Sequence, residues 1–313
     1  MKIIQNPTLP IDRPGVYAGI PLRRYHSADI TVGPCVSSSG LRTLVEASPK
    51  HFFATWSGNP DAPPDEPSRA MILGSAAHHL LLGEDAFSTL YIARPDELAD
   101  EWGEMKPWQG NRKVCKAWLA AQEQAGRIVL TSAELDSIKG MARELAKTPE
   151  VQEGLLNGLV EHSLIWRDAE TGLWLRARPD VIPTDSGMFA DLKTIRDTSI
   201  PSISMAMDGY DQQAALVWEG AEALGLEVES FTFLFVESDA PWDVVPIVVP
   251  DEDLAEARRA NRAAIQMIAR CIEKGEWPGR GYGDARVMGM GQAARERRAK
   301  RVEFIETMLG ETF

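Results

Sequence analysis

Two aspartates and a lysine stand close together in the stretch RARPDVIPTDSGMFADLKT, residues 176–194. Asp191 and Lys193 are two positions apart in the alternating run MFADLK, so a strand there would project both side chains from one face. Asp180 would end the preceding strand, and if the two strands are antiparallel neighbours its carboxylate can approach Asp191. Paired carboxylates suit Mg²⁺ or Mn²⁺, and a lysine beside them could orient water for attack on a phosphodiester.

The same three residues also have a simpler interpretation. The chain contains 46 acidic residues, so a D-x(10)-DxK spacing arises easily by chance. Asp180 follows Pro179 and would then be a turn residue at a strand end, while Asp191 and Lys193 would form an exposed pair of little energetic value. The spacing alone leaves both interpretations open, a metal-dependent site and a charged hairpin.

Three other polar side chains bear on this choice. His78 lies inside the apolar, helix-compatible run ILGSAAHHLLL, in which residues 74–77 are small enough to admit a close neighbour. Gln213 falls within the apolar stripe of a predicted helix, where a buried amide needs hydrogen-bonding partners. Glu161 stands just ahead of the first core strand and is either a third acidic group or an exposed residue at the start of that strand. Together these positions favour a site over a hairpin.

The spacing of apolar residues predicts the elements that would carry these groups. Thr131 and Glu134 have the form of a capping box, and helical spacing predicts helices over residues 70–82, 113–124, 131–145, 210–224 and from 251 to the WPG at 277–279. After residue 160, alternating runs predict strands at HSLIWR, LWLRAR, MFADLK, FTFLFV and VVPIVV. This order predicts an α/β fold with a mixed core beneath an N-terminal helical lobe.

Composition also divides the chain into segments. Residues 1–35 are rich in Pro and Gly and are expected to be an irregular N-terminal segment. A domain is expected over 36–280, with a helical lobe at 36–150 and a core with the site at 151–280. Residues 281–313 are expected to form a basic tail or helix, in which the run RERRAKR at 295–301 has a solvated helix face as its simpler interpretation.

Composition also restricts the class of protein and its expected location. With 313 residues, of which 44% are hydrophobic, the chain can bury a substantial core. The sequence shows neither an apolar run near the roughly 20 residues of a spanning helix nor the features of a secretory signal, so a cytoplasmic location is expected. Three scattered cysteines, Cys35, Cys115 and Cys271, argue against a disulfide framework, a structural zinc or an iron-sulfur cluster. A net charge of −13 does not exclude nucleic acid, because acidic metal sites add negative charge locally.

Five blocks occur in a recognisable order along the chain: SSSGLRTLVEASPKHF, GSAAHHLLLGE, EHSLIWRDAETGLWLRARPD, DLKT and YDQQAALVW. In this combination the sequence resembles the PD-(D/E)XK nuclease superfamily, and within it the RecE-like (exodeoxyribonuclease VIII-type) exonucleases of phages and prophages. The resemblance covers about residues 36–280. It implies a restriction-endonuclease-like fold, which is a mixed sheet flanked by helices.

The resemblance implies a role for individual residues. The catalytic residues would be Lys193, Asp191, Asp180 and Gln213. Lys193 would position the attacking water, and Gln213 would hold the scissile strand or orient Lys193. The metal ligands would be His78, Asp180, Asp191, the backbone carbonyl of Leu192 and, as a further acidic position, Glu161. DNA contacts would come from Arg178, Thr194 and Tyr210. The glutamine motif departs from the QxxxY of relatives, since Val217 stands four places after Gln213.

The activity implied is exonucleolytic. A Mg²⁺-dependent enzyme, with Mn²⁺ as a substitute, would digest linear duplex DNA in the 5′ to 3′ direction and leave 3′ single strands for recombination. A RecT-like annealing protein would be its partner, and the enzyme would assemble as a homo-oligomeric ring.

Three alternatives of other classes stay open. The chain could be another PD-(D/E)XK nuclease, specific for single strands or for DNA structures. It could be a non-catalytic DNA-binding protein that retains the fold, although the full set of Asp180, Asp191 and Lys193 disfavours this. Paired carboxylates could also serve a glycosidase, but the sequence offers no clear aromatic platform for a sugar.

Overall fold

A computed structural model describes residues 3–63, 67–82, 87–281, 283 and 289–310. The chain forms two compact units, Met1–Trp277 and Pro278–Phe313. Gly83 and Glu84, which end the GSAAHHLLLGE block, lie outside the described residues. The strands of the described part are β1 (Ile3–Gln5), β2 (Gly15–Ala18), β3 (Cys35–Ser37), β4 (Tyr91–Ala93), β5 (Glu97–Ala99), β6 (Met105–Pro107), β7 (Ile128–Leu130), β8 (Gly158–Val160), β9 (Ser163–Arg167), β10 (Trp174–Ala177), β11 (Val181–Pro183), β12 (Met188–Ile195), β13 (Ser230–Glu237) and β14 (Val244–Val248).

Helices surround these strands and include those predicted from apolar spacing. The helices of the described part are α1 (Leu22–Tyr25), α2 (Ser38–Glu46), α3 (Pro49–Thr55), α4 (Arg69–Leu81), α5 (Phe87–Leu90), α6 (Lys113–Gln124), α7 (Ser132–Leu145), α8 (Pro149–Gln152), α9 (Ile200–Ala223), α10 (Asp251–Lys274) and α11 (Gln292–Gly310). Thr131 and Glu134 form the predicted capping box at the start of α7. The basic run at 295–301 lies on α11, in the second unit. No helix of the described part has both the length and the apolar character needed to cross a membrane.

The strands form two larger sheets and two small ones. Sheet I has the order β1-β2-β9-β10-β3, and sheet II has the order β14-β13-β12-β11-β8. β12 is the middle strand of sheet II, because it pairs in parallel with β13 along all eight of its residues and antiparallel with β11 through Val181 and Ala190. Parallel and antiparallel pairs in one sheet, with helices around it, confirm the predicted mixed α/β class.

Helices cover sheet II on both faces. Phe233 of β13 lies in an apolar cluster with residues of α9 and α10, whereas Leu192 of β12 and Leu234 of β13 lie in a cluster with residues of α4 and α7. Because side chains alternate along a strand, Asp191 and Lys193 point to the side opposite Leu192. These two side chains therefore face α9.

The N-terminal segment differs from the irregular structure expected for residues 1–35. Within it lie β1, β2, the first residue of β3 and the short helix α1. β2 pairs with β9, and β3 pairs with β10, so both belong to sheet I. The three strands are only three or four residues long and pair with distant strands or with each other in parallel, so alternation within the segment gives little signal. The expectation of irregular structure rested on the prolines and glycines of this segment, most of which lie between the strands.

The prediction that the strand LWLRAR lies next to the strand of Asp191 is wrong. The run LWLRAR forms β10, which belongs to sheet I and does not pair with β12. Asp180 instead lies in the joint between β10 and β11, and β11 is the neighbour of β12. Pro179 accounts for the break, because proline donates no backbone hydrogen bond to a ladder.

Helix α9 is bent just before the predicted helix at 210–224. Asp208 and Gly209 have non-helical backbone angles, with φ of +112° at Gly209. A side chain at Gly209 would also meet Arg42, since a Cβ there would lie 2.4 Å from Arg42 Cδ. Asp211 Oδ1 accepts hydrogen bonds from the N–H groups of Gly209 (3.0 Å) and Gln212 (2.7 Å) and so restarts the helix. The bend sets the direction of the segment that carries Gln213.

A buried amide pair fixes the rotation of that segment. Gln212 Nε2 donates to Oδ1 of Asn261 on α10 (3.0 Å), and Asn261 Nδ2 donates to the backbone carbonyl of Gln212 (2.9 Å). Asn261 is fully buried. With Gln212 turned toward α10, the next residue, Gln213, is turned toward sheet II.

We expect Asn261→Ala to lower the free energy of unfolding by about 1–3 kcal/mol, because it leaves the Gln212 amide and carbonyl buried without these partners. Gln266→Ala is the matched control on the same helix, since Gln266 is exposed and its amide bonds to the exposed Glu170. The control should change stability by no more than about 0.5 kcal/mol. Urea denaturation followed by circular dichroism measures both, and equal losses in the two variants would contradict a structural role for Asn261.

Candidate functional site

Asp180 is held from two sides by groups on different elements. Its Oδ2 accepts a 2.5 Å hydrogen bond from the backbone N–H of Leu192 on β12. Its Oδ1 lies 3.2 Å from Nδ1 of His78 on α4. The carboxylate is therefore fixed to the strand that carries Asp191, although it comes from the joint between the two sheets.

Asp191 is almost fully buried, with 1% of its surface exposed. Its Oδ2 forms an ion pair with Nζ of Lys193. Its Oδ1 accepts a 2.9 Å hydrogen bond from Nε2 of Gln213 on α9. The structure thus brings together the three residues that the sequence placed on one strand face and one helix.

The pKa values of these groups reflect the balance between burial and neighbouring charge. Burial, and then the charge of Asp180, raise the pKa of Asp191 to about 6 against the lowering effect of Lys193. Burial also raises the pKa of Asp180, but His78, Lys193 and the Leu192 N–H outweigh it and hold that pKa below its usual value. Burial would lower the pKa of Lys193, yet the two aspartates raise it above its usual value. The surroundings therefore favour the charged forms of Asp180 and Lys193, whereas burial and Asp180 oppose the charged form of Asp191.

Lys193 also contacts aromatic rings. Its Nζ lies 4.9 Å from the centre of the Tyr210 ring and 5.6 Å from that of Phe233. An ammonium over an aromatic face is stabilised by the electrostatic attraction of the ring. Tyr210, expected to contact DNA, thus lies within the site and helps to set the direction of Lys193.

Glu161 reaches the site through an unusual backbone conformation. Its φ is +54°, in the left-handed region, and its N–H donates a 3.0 Å hydrogen bond to the carbonyl of Asp180. Its Oε2 lies 3.7 Å from Nη1 of Arg178. This hydrogen bond therefore holds the backbone of Glu161 next to that of Asp180. The Glu161 carboxylate lies close to Arg178 as well as to His78 and Asp180.

One ligand atom from each of His78, Glu161 and Asp180 lies within 4.8 Å of the other two. A single ion could contact all three, and two carboxylates with one imidazole fit Mg²⁺ or Mn²⁺. The group does not include Asp191, whose carboxylate is paired with Lys193. Leu192 contributes its N–H to Asp180, and a role for its carbonyl stays a prediction.

Two further residues expected to contact DNA lie at the edges of the site. Thr194 packs against α4, since a Cβ added to Gly74 would lie 3.1 Å from Thr194 Oγ1. The small residue at 74 thus admits β12 close to the helix that carries His78. Arg178 donates hydrogen bonds of 2.9 Å to Ser163 Oγ and to the carbonyl of Ile20, which anchors it to sheet I and to the N-terminal segment.

The sequence patterns did not single out two residues that lie near the site. Arg176 and Tyr25 lie beside Arg178, with both guanidiniums over the tyrosine ring. Arg176 and Arg178 have the same parity along RARPD, which could have indicated a shared face. Tyr25 lies in the segment expected to be irregular and gave no signal.

Comparisons with known proteins identify the family of the chain and a related fold. The family described as a PDDEXK-like domain of unknown function (DUF3799) matches residues 37–286. The crystal structure of a candidate exonuclease from Eubacterium rectale has a TM-score of 0.51 and 16% identity, over 82% of this chain and 89% of its own. The structures of SSO0001 (TM-score 0.28, 15% identity, 49% of this chain and 67% of its own) and of Rai1 from Scheffersomyces stipitis (0.28, 11%, 78% and 61%) are more distant. No curated protein matches the sequence significantly. At 16% identity the Eubacterium rectale structure shows a likeness of fold alone.

We expect Mn²⁺ at millimolar concentration to raise the melting temperature of the protein, because an ion that binds only the folded state stabilises it by mass action. Asp180→Asn should reduce this shift strongly. Asp185→Asn, which changes an exposed acid five residues further on, should keep it. Differential scanning calorimetry with Mn²⁺ and with EDTA measures the shift. An equal shift in both variants would place the ion elsewhere.

Proposed function

Because the chain belongs to the PDDEXK-like domain family DUF3799, we propose that it is a metal-dependent nuclease that hydrolyses phosphodiester bonds in DNA. One observation carries the proposal. His78, Glu161 and Asp180, which could together hold an ion, lie beside the buried Asp191–Lys193 pair. The N–H of Leu192 connects the two groups through its hydrogen bond to Asp180. We propose Mg²⁺ as the ion, with Mn²⁺ as a substitute.

The residues of the site would divide the work of hydrolysis. A divalent ion, when bound, would supply the positive charge that polarises the phosphate and the attacking water. His78 and the Leu192 N–H orient Asp180, and Gln213 orients Asp191. Lys193 has a raised pKa, so it would stay a cation whose Nζ–H groups donate hydrogen bonds. It would hold the water and stabilise the negative charge that develops on the phosphate.

The finer assignment follows the resemblance, and the description of the Eubacterium rectale protein as an exonuclease supports only its exonuclease part. We propose that the enzyme is an exonuclease that acts on linear duplex DNA in the 5′ to 3′ direction and leaves 3′ single strands for recombination. The RecT-like partner, the homo-oligomeric ring and the cytoplasmic location stay predictions.

We expect the purified protein to degrade linear duplex DNA in Mg²⁺ and to leave it intact in EDTA. Asp191→Ala should lower the rate by at least about 100-fold, because it removes the partner that positions Lys193. Asp185→Asn should keep the rate within about twofold, since Asp185 is exposed and outside the site. Gel assays with labelled linear duplex measure these rates. Full activity in Asp191→Ala, or no activity on any DNA, would overturn the proposal.

The same assay separates the alternatives by substrate. Closed circular duplex should resist cleavage if the enzyme needs an end. Release of a 5′ label at early times, before a 3′ label, would show the proposed direction. Preference for single strands or for branched DNA would instead identify another PD-(D/E)XK specificity.

A further inference from the structure

Arg176 is a buried cation with little to bind. It lies on β10 and has 5% of its surface exposed. Its Nε and Nη1 are buried and have no hydrogen-bonding partner among the described residues. The neighbouring Cys35 thiol interacts with this guanidinium, but a thiol is only a weak hydrogen-bonding partner. Burying a guanidinium with so few partners is costly, and a bound anion would offset that cost.

The surroundings of Arg176 concentrate positive charge. The guanidinium carbons of Arg176 and Arg178 lie 5.1 and 4.3 Å from the centre of one ring, that of Tyr25. The side chain of Arg178 is 8% exposed. Both guanidiniums stack on this one ring, so two positive charges are held close together. The ring has no net charge and therefore does not cancel their mutual repulsion.

The polar neighbours of Arg176 do not neutralise it. Burial raises the pKa of Tyr25 to about 12, so its hydroxyl is neutral. Burial also raises the pKa of the Cys35 thiol, which adjoins Arg176 and stays neutral as well. The carboxylate of Glu161 lies 3.7 Å from Arg178 and belongs to the candidate metal group. The arrangement is therefore suited to an anion.

We propose that Arg176 and Arg178, stacked on Tyr25, form an anion site that binds a phosphate group of the DNA next to the phosphate that is cleaved. The inference rests on the proposed function and adds a second contact point for the substrate. Arg178 connects the two places, because it lies beside Glu161 on one side and shares Tyr25 with Arg176 on the other. Nε and Nη1 of Arg176 are the donors from which phosphate oxygens would accept hydrogen bonds. Arg178, whose Nε and Nη2 already bond within the protein, would add positive charge.

The test compares Arg176→Met with Arg167→Met, which removes an exposed arginine from the neighbouring strand β9. Fluorescence anisotropy with linear duplex in EDTA measures binding without cleavage. We expect Arg176→Met to weaken binding on the order of tenfold and to lower the slope of log affinity against log salt by about 0.9. Arg176→Lys should recover part of the loss, and Arg167→Met should bind like the wild type.

The melting temperature of Arg176→Met provides a second test. It should fall if Arg176 only stabilises the fold, and stay the same or rise if Arg176 binds an anion. An apolar side chain of similar length removes a buried, unpaired charge, so the DNA-free Arg176→Met protein should melt at the same temperature as the wild type or higher. Inorganic phosphate should raise the melting temperature of the wild type and not that of Arg176→Met. A lower melting temperature with unchanged DNA affinity would overturn the proposal.

Two arms distinguish the source of the phosphate and the origin of a failure. If the effect of Arg176→Met occurs only with 5′-phosphorylated duplex, the site binds a terminal phosphate; if it persists with 5′-hydroxyl duplex, the site binds an internal one. A wild type that cleaves DNA while Arg176→Met binds it equally well would overturn this inference alone. A wild type that neither binds nor cleaves DNA would overturn the proposed function, and the absence of a phosphate-dependent melting shift would then overturn the anion site as well.

Discussion

Burying a charged side chain costs free energy, and the arrangement of the elements around the site depends on offsetting that cost. Asp180, Asp191 and Lys193 have little contact with water, and an isolated carboxylate in such a place would lose its charge by binding a proton. Each charge is instead attached to a fixed partner: a backbone N–H, an imidazole, an amide or the opposite charge. Because those partners come from β12, α4 and α9, the positions of these elements are fixed together. The rigidity of the middle of sheet II is thus a requirement of the site as much as of the fold.

Much of this arrangement could be predicted from the sequence, for a definable reason. Asp191 and Lys193 lie on one face because alternation along a strand is a local property of MFADLK. The capping box at Thr131 and the bounds of α6 are local as well. The inward position of Gln213, beside Asp191, was indicated by a polar residue within an apolar stripe. In each case the information lies within a few residues of the side chain concerned.

The rest depended on contacts between distant segments. The strands of the N-terminal segment are too short to show a period and become strands only by pairing within sheet I. Asp180 was expected at the end of a neighbouring strand, but Pro179 moves the chain to another sheet before the pairing with β12 begins. The hydrogen bonds between Gln212 and Asn261 are properties of packing that no local pattern carries. The same holds for the lack of partners at Nε and Nη1 of Arg176.

The position of Asp180 in the joint between two sheets has a consequence for folding. His78 precedes that joint by about a hundred residues and Gln213 follows it, so the site draws on most of the first unit. Glu161, Asp180 and Leu192 lie in or next to strands of sheet II. Arg178, which pairs with Glu161, instead follows β10 of sheet I. Loss of order in either sheet would therefore separate charged groups that are paired in the folded protein. The candidate chemistry is thus a property of the folded first unit and not of any one short segment of it.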